Sequence, residues 1–452
     1  MVIQRTNRTF RPIRAAVLFS ALAVVCGSAF AANAWGQPTA KASTSSTLKI
    51  ITWVNPPAVT ALTKIDAEFH AKYPNINVQL QTATGVVTAY ATLLQTTVDA
   101  NSADIVTSGG NAVEVQPLPL NPTKANMSPL QYWATTGVFL PLNGQPFLKD
   151  YTNTALQVGT YKGQVVSLLS GVYQRVVFYN KADFAKYHIS VPHTYDQFMA
   201  VLKTLSADGI TPLWLALGGG ATVYADDFLT MPLMQSLWLP KAPGQNISQA
   251  LQTGTASWNN PYFVHAMTEE ASIAKYIEPD YTGISWEGMP GAFAENKAAM
   301  LLDGSWDLAT VQAANPKLQV GSFPLPGSNV ASDNQPMLQP DLNFDVLKNA
   351  PNKAAALQWL AFFSSKPIYE QYCDITGISP VEKTGTYTSF SAGALGSLFG
   401  KGINVAAVFP PLAVTEGYWD TPVQFPLLQV AVMAGTTTPQ AAAKEIQADW
   451  KK

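Results

Sequence analysis

The residues able to do chemistry in this chain are few, and most enzymatic arrangements fail on spacing alone. The four histidines, His70, His188, His193 and His265, form no H-E-x-x-H pair and no other metal-ligand spacing. His70 and His188 stand at helix ends, the ordinary place for a dipole partner. No G-x-S-x-G elbow occurs. Gly400-Lys401 fails as a phosphate loop, because Leu395 stands where the earlier glycine is required and Gly402 follows the lysine. One catalytic option stays open. A secreted glycoside hydrolase needs only two carboxyls beside an aromatic cleft, and Asp307 and Asp341 could fill those roles. No motif calls for a cofactor or a metal.

Charge narrows the choice of partner. Asp, Glu, Lys and Arg make up 12% of the 452 residues, against about 25% in an average soluble protein. Arg5, Arg8, Arg11 and Arg14 lie together at the N-terminus; removing these four from the 27 basic residues leaves 23 against 29 acidic ones, a balance of −6. Arginine then occurs once more, at Arg175, so no surface of Arg forks can track phosphates and a nucleic-acid partner is excluded. Hydrophobic residues reach 47%, enough for large cores, and the length suggests two or three lobes. With so little charge, the surface must be wetted by Thr, Ser, Asn and Gln. A habitat of low external pH is one reason to avoid surface carboxylates.

The arginines precede an apolar run, Ala15 to Val25, of the length of a signal-peptide core and too short to span a bilayer. The chain is therefore expected to be exported, with residues 1–31 removed by cleavage after Ala31 or, alternatively, after Ala34. Lipidation at Cys26 would instead anchor it to the outer face of the membrane; Val25 before that cysteine disfavours the anchor. Residues 35–45 make a flexible linker rich in small and polar side chains. After cleavage Cys373 is alone, placed on a helical stretch as a packed thiol, and no internal disulfide can form.

The elements that must position any site follow. Leu48 to Val54 is a β-rich run closed by Asn55-Pro56-Pro57. Val59, Leu62, Ile65, Phe69 and Tyr73 fall at helical spacing, and Ile76 to Gln81 alternates as a second strand. A helix from about Ala89 to Ala100 leads to a third strand, Ala103 to Thr107. This βαβαβ order implies a parallel sheet, whose ligands sit beyond the carboxyl ends of its strands. Those ends place Trp53, Asn55, Gly109, Gly110 and Asn111 near a site. Each has an ordinary reading as well: Trp53 as a core cap, Asn55 as an Asx-turn, the glycines as a plain turn. Farther on, Gly163 to Leu168 and Tyr173 to Asn180 form two strands, helices follow at Ala182–Tyr187 and Thr194–Ala207, 209–310 is mainly helical, and Pro340 to Leu347 returns to strand. Asp341 and Asn343 share one face of that return strand, and Arg175, two residues beyond Tyr173, offers a planar fork for vicinal hydroxyls, a uronate or an internal ion pair.

Several blocks resemble the extracellular solute-binding proteins of carbohydrate-uptake ABC transporters. Phe178-Tyr179-Asn180-Lys181 with Phe184, then Pro192, Thr194-Tyr195-Asp196 and Phe198, form the first; Ala292-Phe293 through Asn296-Lys297-Ala298-Ala299-Met300 to Gly304-Ser305-Trp306 form the second. Ala350-Pro351-Asn352-Lys353 and Gly377-Ile378-Ser379-Pro380 resemble the family's late helix and turn. Asn296 stands where the family has Gly and Tyr195 where it has Trp. With the βαβαβ opening, the resemblance covers nearly everything after Thr47.

The resemblance implies a two-lobed α/β fold of the periplasmic-binding-protein kind (type II), each lobe a mostly parallel sheet flanked by helices, with an interlobe cleft and a hinge. Lobe one is placed at 46–170 plus 340–376 and lobe two at 171–339 plus 377–452, with hinge passages near Ser170-Gly171, Gln339-Pro340 and Thr376-Gly377. It also implies a non-enzymatic monomer that captures a mono- or oligosaccharide and delivers it to membrane permease subunits. A glycoside hydrolase, or a binder of a polyol or glycerophosphodiester, is the alternative. A sugar has C–H faces and a rim of hydroxyls, so its cleft needs aromatic plates and convergent polar groups. The resemblance puts Trp306 on the ligand and Tyr173 at a contacting position; Trp419 with Asp420 is similar to the aromatic segment before the last helices. Asp307 joins them as a charge in a charge-poor chain, with helix N-terminal capping as the plainer account.

Overall fold

The computed structural model describes residues 45–53, 55–83, 87–108, 118, 122, 124, 127–218, 223–242, 246–404 and 424–450. Gly109, Gly110, Asn111, Trp419, Asp420, the export segment and all but the last residue of the linker lie outside the described residues.

The opening alternates as the sequence implies: β1 Ser46–Thr52, helix α1 Pro56–Lys72, β2 Ile76–Thr82, helix α2 Val87–Ala100 and β3 Ile105–Thr107. Asn55 caps α1, its side chain accepting from the Ala58 amide, and Pro56-Pro57 fill the first turn, where proline costs no hydrogen bond. Ala58, Ala61, Leu62, Ile65 and Phe69 then bury one stripe. β1 is buried on both faces: Leu48 and Ile50 enter one core and Ile51 another. Ile50 and Ile51 are the consecutive apolar pair that serves both, while Lys49 before them is exposed. The chain continues through a small hairpin, β4 Thr160–Tyr161 and β5 Gln164–Val165, then β6 Leu168–Leu169, β7 Val172–Asn180, β8 Leu213–Trp214, β9 Met300–Gly304, β10 Val320–Phe323, β11 Met337–Pro340, β12 Asn343–Val346 and β13 Ile403–Asn404.

Two sheets result. The first has the order β2-β1-β3-β12-β6 and the second β13-β11-β7-β9-β8, with β10 also on β7. In the first, β1 runs parallel to β2 and β3, while β12 is antiparallel to β3 and β6. In the second, β7 is antiparallel to β9, β10 and β11, and only β8–β9 and β11–β13 are parallel. Both sheets are thus mixed, and the mostly parallel expectation holds only for the opening three strands. β12 enters the first sheet from the second through a short turn, so it cannot run with β3. β9 is also a strand inside a stretch expected to be mainly helical. Met300-Leu301-Leu302 is a short buried apolar run, which periodicity does not separate from a helix.

The chain passes between the sheets at adjacent points. Ser170 N donates to Leu342 O and Asp341 N to Gly171 O, both at 2.9 Å, while Val172 and Ser379 exchange backbone hydrogen bonds. A Cβ on Gly171 would sit 2.2 Å from Ile378 Cδ1, so the passage needs glycine. Ile378, Val381 and Tyr387 still pack on the first core, whereas Ala394 and Leu395 belong to the second. Among the described residues no helix is long and apolar enough to cross a membrane.

Candidate functional site

At the carboxyl end of β1, Trp53 is half-buried, its amide donates to Thr107 Oγ1 at 3.4 Å, and its ring stands edge-on to Tyr90 at 5.3 Å. Tyr90, from α2, bonds the carbonyl and hydroxyl of Thr107, so the ends of β1 and β3 are tied together. Asn55 caps α1 at 3.3 Å and also faces the buried Tyr173 hydroxyl, which forms no well-aligned hydrogen bond with it. The local role expected of Asn55 before Pro56 is seen as this helix cap.

Across from these, β9 ends at Gly304 and a tight turn, Ser305–Asp307, carries Trp306. A Cβ on Gly304 would meet the Trp306 ring at 2.3 Å, so glycine lets the indole lie across the strand end. Trp306 packs against the cores of both sheets. It stands edge-on to Tyr173 at 5.6 Å and 5.9 Å from Phe228. Phe228 meets Tyr224 at 5.3 Å and Tyr224 meets Trp286 at 5.5 Å. An aromatic row therefore runs Tyr173, Trp306, Phe228, Tyr224, Trp286. Only its first two members were legible in sequence.

Carboxyls flank the row. Asp303 is buried beneath Trp306, accepts from the Gly304 amide at 2.7 Å and interacts with Asp307. Burial, and then the Asp307 charge, push Asp303 well above the usual carboxylate range, while burial takes Asp307 to about 6. One proton shared by the pair rests mainly on Asp303. Asp307 stands at the N-terminus of the helix Leu308–Ala314, where a carboxylate suits the helix dipole, but its side chain makes no capping hydrogen bond.

Arg175 is consumed internally. Its Nη1 lies 3.1 Å from Asp227 Oδ1 and donates to Asp227 O at 3.2 Å, and its Nε donates to Gln339 Oε1 at 2.9 Å. The ion-pair reading of Arg175 applies, and its fork is not open to a ligand. Asp341 sits at the interlobe passage, accepting from Ser170 Oγ at 3.1 Å and Tyr372 Oη at 3.4 Å; burial raises it to about 6, and it faces Tyr173. Asn343 is fully buried in β12, where its carbonyl accepts from Ser108 N. The structure thus gathers Asn55, Tyr173, Trp306, Asp307 and Asp341, adds Asp303, Tyr224, Phe228, Asp227 and Trp286, and leaves Asn343 inside a sheet. The doublet Asp226-Asp227 in a charge-poor chain was the sequence signal for the missed members. A cavity of about 330 Å³ between α1 and β2, lined by Thr63, Asp66, Ala67, His70, Asn77, Val78 and Leu80, shares no residue with this set.

Two mixed sheets joined by adjacent chain passages, with an aromatic row beside strand ends between them, define the architecture. The description "Bacterial extracellular solute-binding protein" matches residues 54–369, and the chain belongs to that family. It is 24% identical over 341 residues to the "Multiple sugar-binding protein" of Streptococcus mutans, covering 72% of each chain. To the "Melibiose/raffinose/stachyose-binding protein MelE" of Bacillus subtilis it is 23% identical over 251 residues, 54% of this chain and 56% of that one. Among solved structures, RafE in complex with raffinose superposes with a TM-score of 0.67 at 18% identity, covering 89% of this chain and 98% of that one. Maltose-bound MalE3 of T. maritima gives 0.69 at 17% identity, covering 90% and 99%.

Proposed function

We propose that this protein is exported and captures a mono- or oligosaccharide in the interlobe cleft, delivering it as a monomer to the permease subunits of an ABC importer. The observation that carries the reading is Trp306, an indole packed against both cores, edge-on to Tyr173 and beside the Asp307 carboxyl. It supplies the flat apolar face and convergent acceptors that a sugar needs. Family membership and the sugar-binding names of the relatives support it over a glycoside hydrolase. The lobes are assigned to 46–170 plus 340 to about 388, and 171–339 plus the remainder. The third passage is set beyond Tyr387 because Ile378, Val381 and Tyr387 pack on the first core.

A calorimetric sugar screen with product analysis tests the reading. Micromolar binding, about −8 kcal/mol, with the sugar recovered unchanged is the expected outcome. Newly released reducing ends would refute it in favour of the hydrolase.

A further inference from the structure

The described charges around the aromatic row do not balance. Asp227 is matched by Arg175 at 3.1 Å. The Asp303–Asp307 pair holds one proton between two carboxyls, and Oδ2 of each is buried and, apart from the contact within the pair, accepts from no donor among the described residues. Asp341 adds a further carboxyl near Tyr173. Among the described residues, the ion pairs formed by lysine are Lys297–Glu295 and Lys366–Glu370, and neither involves these acids. Independently of the acids, the Tyr173 hydroxyl, on a residue only 4% exposed, lies beside Asp307 and Asp341 without a hydrogen-bond partner among the described residues.

We propose that the cleft selects a sugar bearing a protonated amine, an amino sugar or an oligosaccharide of amino sugars, with the ammonium against the Asp303 and Asp307 carboxyls and the ring face on Trp306. The inference rests on the sugar-receptor reading and deepens it. An ammonium brings donors to carboxyl oxygens that have only the shared proton, and it supplies the missing positive charge where water is scarce. A uronate or a phosphodiester would instead bring an anion to a site whose single guanidinium already has partners at Nε, Nη1 and Nη2. A neutral sugar could still donate hydroxyls to the carboxyls but would leave the charge uncompensated.

The test is calorimetry at pH 7 on matched trios: glucose, glucosamine and glucuronate, the galactose trio, and their α- and β-linked dimers. In at least one trio the amine should bind tenfold or more tightly than its neutral parent, and the uronate weakest. Neutral or acidic members that bind as tightly as the amine would overturn the selectivity and leave the sugar receptor standing. Failure of every sugar would overturn both. Asp307→Asn removes the charge of the pair, since the proton rests mainly on Asp303, so it should shrink the amine-to-neutral ratio toward one, whatever happens to the neutral affinity; Asp303→Asn leaves the Asp307 charge in place and should keep the ratio above one. A ratio unchanged in an Asp307→Asn variant that melts like the parent would overturn the assignment of the ammonium to this pair. The wild-type trios decide the matter even if neither variant folds.

Discussion

Buried acids make the stability of this fold depend on pH in an unusual direction. Desolvation takes Asp66 to about 7 and Asp345 to about 8, with Trp359 Nε1 donating to Asp66 at 2.8 Å and Ser108 and Ser167 beside Asp345 lowering them only in part. In the unfolded chain these groups titrate near 4. Between about pH 4 and 7 the folded state therefore holds two protons that the unfolded state has released. A folded pKa above the unfolded one means that stability is fully present below about pH 4 and is lost as pH rises through the folded value. Each proton is worth about 1.4 kcal/mol per pH unit, so two give about 3 kcal/mol between pH 5 and 6. Relaxation and water entry reduce that, and about 1 kcal/mol is a firm lower expectation against a total of roughly 5–15 kcal/mol. Urea melts followed by tryptophan fluorescence at pH 5, 6, 7 and 8 should show midpoints falling steadily with pH. Asp66→Asn, whose amide oxygen can still accept from Trp359, should flatten the slope by about one proton. Midpoints that stay level or rise from pH 5 to 8 would refute the reasoning.

Trp306→Ala should cost about 1–3 kcal/mol of sugar affinity, the loss of one aromatic contact in a desolvated site. Gly304→Ala should weaken binding by tenfold or more by displacing the Trp306 ring, because the new methyl would occupy the ring's position; equal affinities measured by calorimetry would detach the site from this turn. Arg175→Met leaves Asp227 unpaired and should destabilise by about 3 kcal/mol near neutral pH, with the loss shrinking in acid as Asp227 protonates; urea midpoints at pH 5 and 8 measure the difference. Saturating sugar should shrink the radius of gyration in solution scattering if the lobes close on it. An identical curve with a tightly bound sugar would defeat closure and leave binding intact.

The opening βαβαβ was legible because each of its elements carries a local rule: a prolyl start after Asn55, a 3.6-residue apolar stripe, an alternating edge strand. The second sheet was harder. β7 is a nine-residue run buried almost throughout, and β9 pairs with it across more than 100 residues of sequence, which no local pattern encodes. The site divided in the same way. Residues at strand ends, or in blocks with a family resemblance, could be named. Tyr224, Phe228 and Asp303 owe their place to partners brought from other elements: Tyr224 and Phe228 belong to the segment facing Arg175, and Asp303 points inward from a strand taken for helix. Asp341 and Asn343 share a strand face by alternation, yet one sits at the interlobe passage and the other inside the sheet.

Acid stability and amine selectivity pull in opposite directions, and together they constrain the working range of the protein. Asp66, Asp226, Glu269, Glu270, Asp303, Asp341, Asp345 and Glu382 are all less than a tenth exposed, in a chain with few bases to pair them. Carboxyls are rarely buried unless paired, and in acid these become neutral and need no partner. Tyr224 faces both acids of the Asp303–Asp307 pair as well as Asp227 and Arg175, and Tyr173 faces Asp307 and Asp341. Asp307 and Asp341 gain protons near 6. Below about pH 5 the pair carries two protons and no longer favours a cation, so the amine-to-neutral affinity ratio should fall toward one while the fold grows more stable. A ratio that persists at pH 4.5 would mean that contacts to neutral groups, and not the shared charge, discriminate between the sugars.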